Sequence, residues 1–358
     1  MIYRSRLLAA LTVVAVAPAA WADEVPAGFK TGTPELKAAG ALAFGPDGIL
    51  FVADAPAGTV YAIATGDTKP AGTKSLKVEK LDEAIGGLLG TTGSEVVIND
   101  MKVNPASGNV YLSGTRGKGP GSAAVLVKVG ADGKPTEVPL KDVKYSSVKV
   151  NNTAAGRYPA ITSIVFHKGD LYVAGMTTEE WASNLKAIPF PFSESEAKGA
   201  GVQIYHGAHG KWETQAPVQT FMAYEINGQP NLVASYVCTP LVKFPVEKVK
   251  AGDKVKGTTV AELGNMNRPL DIVAYQKDGK DYALMANDRR GVMKVALEGI
   301  DKIEELTSPV RGGGTAGLKY DSIKELEGVT QLDKLNAETA VVLKKTGANL
   351  ALVTVALP

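Results

Sequence analysis

The sequence predicts an all-β fold, a six-bladed β-propeller. Three observations predict it. A phrase of apolar strand, tight turn and alternating strand recurs six times. The last first-strand residues of the copies, Phe44, Val103, Phe166, Tyr224, Tyr275 and Leu335, are spaced 51 to 63 residues apart. Hydrophobic residues make up 45% of the 358 and charged residues 21%, which is globular composition. A single small sheet cannot bury both of its faces, whereas sheets stacked radially cover one another.

The first element lies outside the repeat. Arg4 and Arg6 precede the apolar run Leu7 to Val16, and small residues lead to Ala20-Trp21-Ala22. This is the plan of a secretory signal peptide over residues 1–22, too short for a comfortable membrane span. Cleavage near Ala22 would leave residues 23–358 as one propeller domain, periplasmic or secreted, with no stable membrane insertion. Lys+Arg number 39 and Asp+Glu 37, so loss of Arg4 and Arg6 leaves a balanced chain. A neutral chain without a basic stripe excludes nucleic acid as a partner. The single cysteine, Cys238, excludes an internal disulfide and C-x-x-C-H haem attachment.

The first copy reads Ala43 to Asp54 (AFGPDGILFVAD), two strands about a Pro-Asp-Gly turn. The second runs Lys102 to Ser113, the third Ile164 to Gly175, the fourth Ala223 to Ser235, the fifth Ala274 to Asn287. The weak sixth is Lys334 to Lys344. Third strands follow at Thr59 to Ile63, Val125 to Val129, Val202 to His206 and Gly291 to Val295. Fourth strands are expected at Lys134 to Leu140 and Lys211 to Gln215. The segment Phe29 to Leu36 has no other employment, so it is expected as the outer strand of the last blade, closing the ring and covering an open edge. Two long insertions remain. Residues 176–200 carry Thr178-Glu179-Glu180-Trp181, read as a helix start, and a stiff Pro-Phe run, and are expected as a lid over the mouth. The segment Arg311 to Glu327, with Gly312-x-Gly314-x-x-Gly317, reads as a flexible loop because no βαβ unit surrounds it.

First strands of a propeller line the channel, and the loops leading into them share one rim with the loops between second and third strands. Asn99, Asp100, Arg157, Tyr158, Trp212, Glu213, Asn265, Asn267, Arg268, Tyr236 and Asp288 fall there. Arg157, Tyr158, Trp212, Arg268 and Tyr236 are the expected contacts of a small molecule or protein partner at the mouth. Asn99, Glu213, Asn267 and Asp288 offer oxygen donors of the kind a divalent cation such as Ca²⁺ takes, with Asp100 as a possible catalytic base. His206, His209 and Glu213 spell H-x-x-H-x-x-x-E, but alignment of Val202 to His206 with a third strand sends both histidines to the opposite rim. Cys238 reads as a small buried hydrophobe.

The blade phrase resembles NHL-type propellers and the senescence marker protein-30/gluconolactonase superfamily. The first copy, FGPDGILFVADAPAGTVYAI, is similar to an NHL repeat. Asn99-Asp100-Met101-Lys102-Val103 through Gly114-Thr115 is similar to the gluconolactonase N-D…D-G…G-T phrase. That resemblance implies six blades around a central divalent ion, with Asn99 facing it, Asp100 beside it and Asp288 as a looser candidate for the family's acid. The family's Glu-Gly-Pro phrase stands here as Lys37-Ala38-Ala39-Gly40. Two functions therefore stay open, a ligand- or partner-binding module and a divalent-metal-dependent hydrolase of lactones or esters. A quinone-cofactor dehydrogenase is third, since only Trp181 and Trp212 follow the leader.

Overall fold

The computed structural model describes residues 25–72, 75–150, 152–154 and 158–358. The leader and Arg157 lie outside the described residues. Six sheets form, antiparallel except where Lys254–Lys256 pairs in parallel with Ala200–His206, and the described residues hold one α-helix, Leu81–Leu88. Blade 1 pairs Leu42–Phe44, Ile49–Asp54 and Thr59–Ala64; blade 2 starts with Val96–Val103, blade 3 with Ile161–His167, blade 4 with Val218–Ile226, blade 5 with Pro269–Lys277 and blade 6 with Val329–Lys334. The six sheets are those of the expected propeller.

The tight turns explain how each pair forms. Lys168-Gly169, Asn227-Gly228 and Asp278-Gly279 all have positive φ at both positions, the two-residue hairpin turn that matches strand twist. Alternate residues then face the two neighbouring blades, and each interface is an apolar core. Phe51, Val60, Ile164 and Val173 join blades 1 and 3. Leu42, Val52, Tyr111 and Leu126 join blades 1 and 2. Val103, Leu112, Val341 and Leu352 join blades 2 and 6.

These cores set the order around the ring as 1-3-4-5-6-2, not chain order. The chain builds three strands of blade 1 and crosses to the edge of blade 6, where Lys77–Val78 pairs with Asn349–Ala356. It passes through the helix, whose Leu81 and Ile85 enter the core between blades 2 and 6, and then builds blade 2. It returns to blade 1, where Val143–Lys149 pairs with Thr59–Ala64. The expected closure is corrected accordingly: Lys30–Gly32 pairs with Val143–Lys149 at the edge of blade 1. The ring closes on the last blade through Lys77–Val78. No outer strand follows Thr59–Ala64 directly, and that vacant edge is what Val143–Lys149 fills.

The insertions are corrected too. Within residues 176–200, Ser183–Pro189 is the third strand of blade 3, and Phe190 and Phe192 pack on Phe51 between blades 1 and 3. Residues 178–181 form bends and no helix. Ala200–His206 is therefore a fourth strand and Lys211–Glu213 a fifth. In the segment 311–327, Ala316–Gly317 joins the edge of blade 4 and Tyr320–Ile323 is the outer strand of blade 5.

Candidate functional site

First strands break register at the mouth. A bulge lies at Asn99, Thr162, Gln219, Leu270 and Thr330, in five of the six blades. A bulge turns a side chain out of the strand's alternation. Asn99, Thr162, Gln219 and Leu270 accordingly line a mouth hollow of about 640 Å³, together with Tyr158, Met266, Asn267, Arg268, Asp288 and Arg289. Met266 stands 69% exposed on the rim.

Below the mouth lies a channel cavity of about 650 Å³. Its walls hold a lysine among acids. Lys102 Nζ is 3.2 Å from Asp271 Oδ1 and 3.8 Å from Asp100 Oδ1. Burial alone would lower Lys102, but the carboxylates of Asp100, Asp271 and Asp333 outweigh it and raise the lysine above its ordinary value. Burial raises Asp271 and Asp333 despite the pull of Lys102. Gln331, with its amide nitrogen facing inward, donates to Asp100 Oδ1 and Asp271 Oδ2, both at 3.1 Å. The same acids tie blades together: Leu42 N donates to Asp100 Oδ2 (2.7 Å), Leu332 N to Asp271 Oδ2 (3.0 Å) and Val103 N to Asp333 Oδ2 (2.8 Å). Sequence reasoning missed Lys102, Asp271, Gln331 and Asp333. The available signal was their interruption of otherwise apolar first strands.

A third hollow, of about 550 Å³, shares Tyr158 and Val237 with the mouth hollow and is lined by His206, His209, Trp212, Glu213 and Cys238. Both histidines are thus on the mouth side, contrary to expectation. As a fourth strand, Ala200–His206 runs toward the mouth, and its hairpin to Lys211–Glu213 ends where Ser183 N donates to Thr214 O (2.8 Å). Glu213 accepts from Nδ1 of His206 and of His209, each at 2.8 Å. Burial would raise Glu213, but the two imidazoles outweigh it and bring it down to about 2. One ligand atom each from His206, His209 and Cys238 lies within 4.8 Å of the others. Cys238 is half-buried rather than fully buried.

The expected metal ligands divide between hollows. Asn99, Asn267 and Asp288 line the mouth hollow, and Glu213 lines the histidine hollow. Each of the three in the mouth hollow already has one polar atom engaged. Asn99 Nδ2 donates to Ala39 O (2.8 Å), Asn267 Nδ2 to Asn287 Oδ1 (2.9 Å), and Asp288 Oδ1 accepts from Arg268 N (2.8 Å). Asp100, the expected base, accepts backbone N–H groups of Leu42 and Met101 on its two oxygens. Of the expected ligand contacts, Tyr158 and Arg268 line the mouth hollow and Trp212 the histidine hollow, where Lys256 Nζ sits 3.7 Å from its ring centre. Tyr236 is corrected: it is fully buried in the core between blades 3 and 4, because a second-strand residue paired with Val218 faces the neighbouring blade.

No protein-family model and no curated protein matches the sequence. Several solved structures are similar. A putative glucose dehydrogenase from Thermus thermophilus shares 14% identity with a TM-score of 0.36, covering 92% of this chain and 100% of its own. The PQQ-bound aldose sugar dehydrogenase of Streptomyces coelicolor shares 12% with a TM-score of 0.32, covering 92% and 99%. Hydrazine synthase of Kuenenia stuttgartiensis shares 10% with a TM-score of 0.38, covering 91% and 98%. Likeness at this level carries no argument about activity. The propeller architecture stands on the strand pairings; membership of the NHL or gluconolactonase groups is not shown.

Proposed function

We propose that this protein is a binding module that takes a small polar, carboxylate-bearing ligand in the mouth of its propeller. The observation that carries the reading is the lining of the mouth hollow. Two arginines, Arg268 and Arg289, stand with the amides of Asn99, Gln219 and Asn267 and the hydroxyl of Thr162 around about 640 Å³. That volume suits a small molecule, and a few convergent polar groups suit orientation within it. Guanidinium groups match a carboxylate by paired N–H donors. Among these lining residues Asp288 is one carboxylate against two guanidinium groups, so the mouth keeps a cationic bias. Tyr158 and Met266 supply apolar surface beside these groups.

We propose that residues 1–22 act as a signal peptide and direct the protein out of the cytoplasm. Amino-terminal sequencing of the exported protein, expected to begin at Asp23, checks that part. The binding reading is tested by calorimetry of the full chain against small mono- and dicarboxylates, with neutral polyols of equal size as controls. Arg268→Ala and Arg289→Ala should each weaken a carboxylate at least tenfold and leave the melting temperature nearly unchanged. Equal affinity of wild type and both variants for every carboxylate that binds would remove the reading.

A further inference from the structure

We propose that His206, His209 and Cys238 form a site for a borderline-soft transition ion of the zinc class, with Glu213 as the residue that positions both imidazoles. The site is independent of the ligand assigned to the mouth.

Glu213 meets both histidines through its carboxylate. The 2.8 Å contacts of its two oxygens with the histidine Nδ1 atoms fit the tautomer in which each Nδ1 carries the proton and the carboxylate accepts. In the neutral imidazole that tautomer carries its lone pair on Nε2, the form in which the ring ligates metal. The His206 and His209 rings are 3.8 Å apart between centres and inclined by 33°. Both rings are tied through Nδ1 to the two oxygens of one carboxylate, so Nε2 is the nitrogen each has left for a ligand. A carboxylate behind each metal-bound imidazole is the usual way such a ring is oriented.

The second observation is an orphan. His206 is 2% exposed, and its Nε2 has no hydrogen-bond partner. A buried polar nitrogen left unpaired is unfavourable. A metal bond at that atom would remove the cost. Tetrahedral zinc, with Zn–N about 2.0 Å and Zn–S about 2.3 Å, sets neighbouring donors roughly 3.3–3.6 Å apart. The donors here stand within 4.8 Å, so closure needs about an ångström of side-chain movement.

The surrounding backbone holds the donors in place. Cys238 and Thr239 both have positive φ, at 64° and 57°, a conformation L residues rarely adopt. It is fixed by Cys238 N donating to Asn267 O (2.7 Å) and Thr239 Oγ1 to Gly264 O (2.7 Å). On the other side, Gly207 N donates to Glu262 Oε1 and Val310 N donates to Gly207 O (2.9 Å), pinning the histidine hairpin. The donor set is two nitrogens and one sulfur, which selects zinc, cobalt or copper over calcium and magnesium. Three protein ligands leave a fourth position, open toward the 550 Å³ hollow.

The test uses the full chain, freed of metal by chelator and titrated with Co²⁺ as the visible stand-in for Zn²⁺. One equivalent should bind, with a thiolate-to-cobalt charge-transfer band and tetrahedral d–d bands, all removed by added Zn²⁺. Cys238→Ser should abolish the charge-transfer band, and the exposed His209→Ala should abolish tetrahedral binding. Glu213→Gln should retain the spectrum and weaken affinity about 10–100-fold. Apo far-ultraviolet circular dichroism confirms that each variant folds. Absence of the band at one equivalent, or Co²⁺ binding unchanged in both Cys238→Ser and His209→Ala, would overturn the site.

Discussion

Lys102 Nζ lies 3.2 Å from Asp271 Oδ1, an ion pair that reaches from blade 2 past blade 6 to blade 5. The pair sits in the channel that the first strands share, so one ammonium serves carboxylates from three blades. A gluconolactonase-like reading puts a metal ion at the centre. Here the protein's own cation stands among Asp100, Asp271 and Asp333.

Replacing Lys102 by Met should therefore destabilise the protein by about 3–5 kcal/mol at neutral pH, the cost of stranding buried charge. Without the lysine, only backbone N–H groups offset the burial that already raises Asp271 and Asp333, so they should take up protons more readily. Denaturant unfolding of the variant should recover much of the loss between pH 7.5 and pH 5. A Lys102→Met variant as stable as wild type at pH 7.5 would show that the pair holds nothing together.

Glu262 and Glu213 flank one hairpin and respond to pH with opposite sign. Burial raises Glu262 to about 7 from an ordinary 4.5, against the backbone N–H groups of Gly207 and Ala208. The folded state then binds more protons than the unfolded one between pH 4.5 and 7, so stability falls as pH rises through that window. Glu213, lowered to about 2, contributes stability that is complete above 4.5 and is lost as pH falls toward 2. Unfolding free energies measured from pH 2 to 8 should show a shallower upper slope in Glu262→Gln and a shallower lower slope in Glu213→Gln. If each variant kept the wild-type slope, these carboxyls would not titrate as assigned.

Much of the fold was legible because strand-turn-strand units are local. The phrases ending at Phe44, Val103, Phe166, Tyr224 and Tyr275 mark first strands of blades 1 to 5, and the turns after them are fixed by residues such as Asn227-Gly228. What the repeat could not show is which edge accepts which strand. Lys77–Val78 is two residues long and carries no pattern of its own. Its partner is chosen by Leu76, Leu81 and Ile85, which bury between blades 2 and 6. The site was less legible for a related reason. Counting Val202 to His206 as a third strand placed His206 and His209 one strand out of phase, and a shift of one strand exchanges the two rims. Pairing of Ser183–Pro189 with Asp170–Met176 corrects the count.

The mouth is intolerant of side chains opposite the bulges. A Cβ at Gly114 would stand 2.2 Å from Val97 O, and one at Gly175 would stand 1.9 Å from Ala160 O. Backbone cannot yield as a side-chain tip can. Gly114→Ala and Gly175→Ala should each cost about 1–3 kcal/mol or more in denaturant unfolding. Gly228→Ala, with nothing near its Cβ, meets only the penalty of its positive φ and serves as the comparison. Equal losses at all three positions would mean that the bulges adjust.

The ring closure can be tested by comparing its two ends. If Phe29 to Leu36 closed the last blade, removing residues 23–34 would open the propeller and lose most of its stability. In the structure Lys30–Gly32 makes three register pairs at the edge of blade 1, and Phe29 packs edge-on against Phe190 at 6.2 Å. Truncation should then cost about 1.5–3 kcal/mol, the burial of one large side chain, and leave a single cooperative transition. Leu76 lies on the segment that does close the ring, with Thr354 N donating to its carbonyl and its own N–H donating to Thr354 Oγ1, both at 2.9 Å. It is buried between blades 2 and 6, so Leu76→Ala should cost about 2–5 kcal/mol. It should also increase proteolysis within blade 6, because its loss frees the edge strand Asn349–Ala356. The reverse ranking, with truncation the more damaging change, would return closure to the amino-terminal segment.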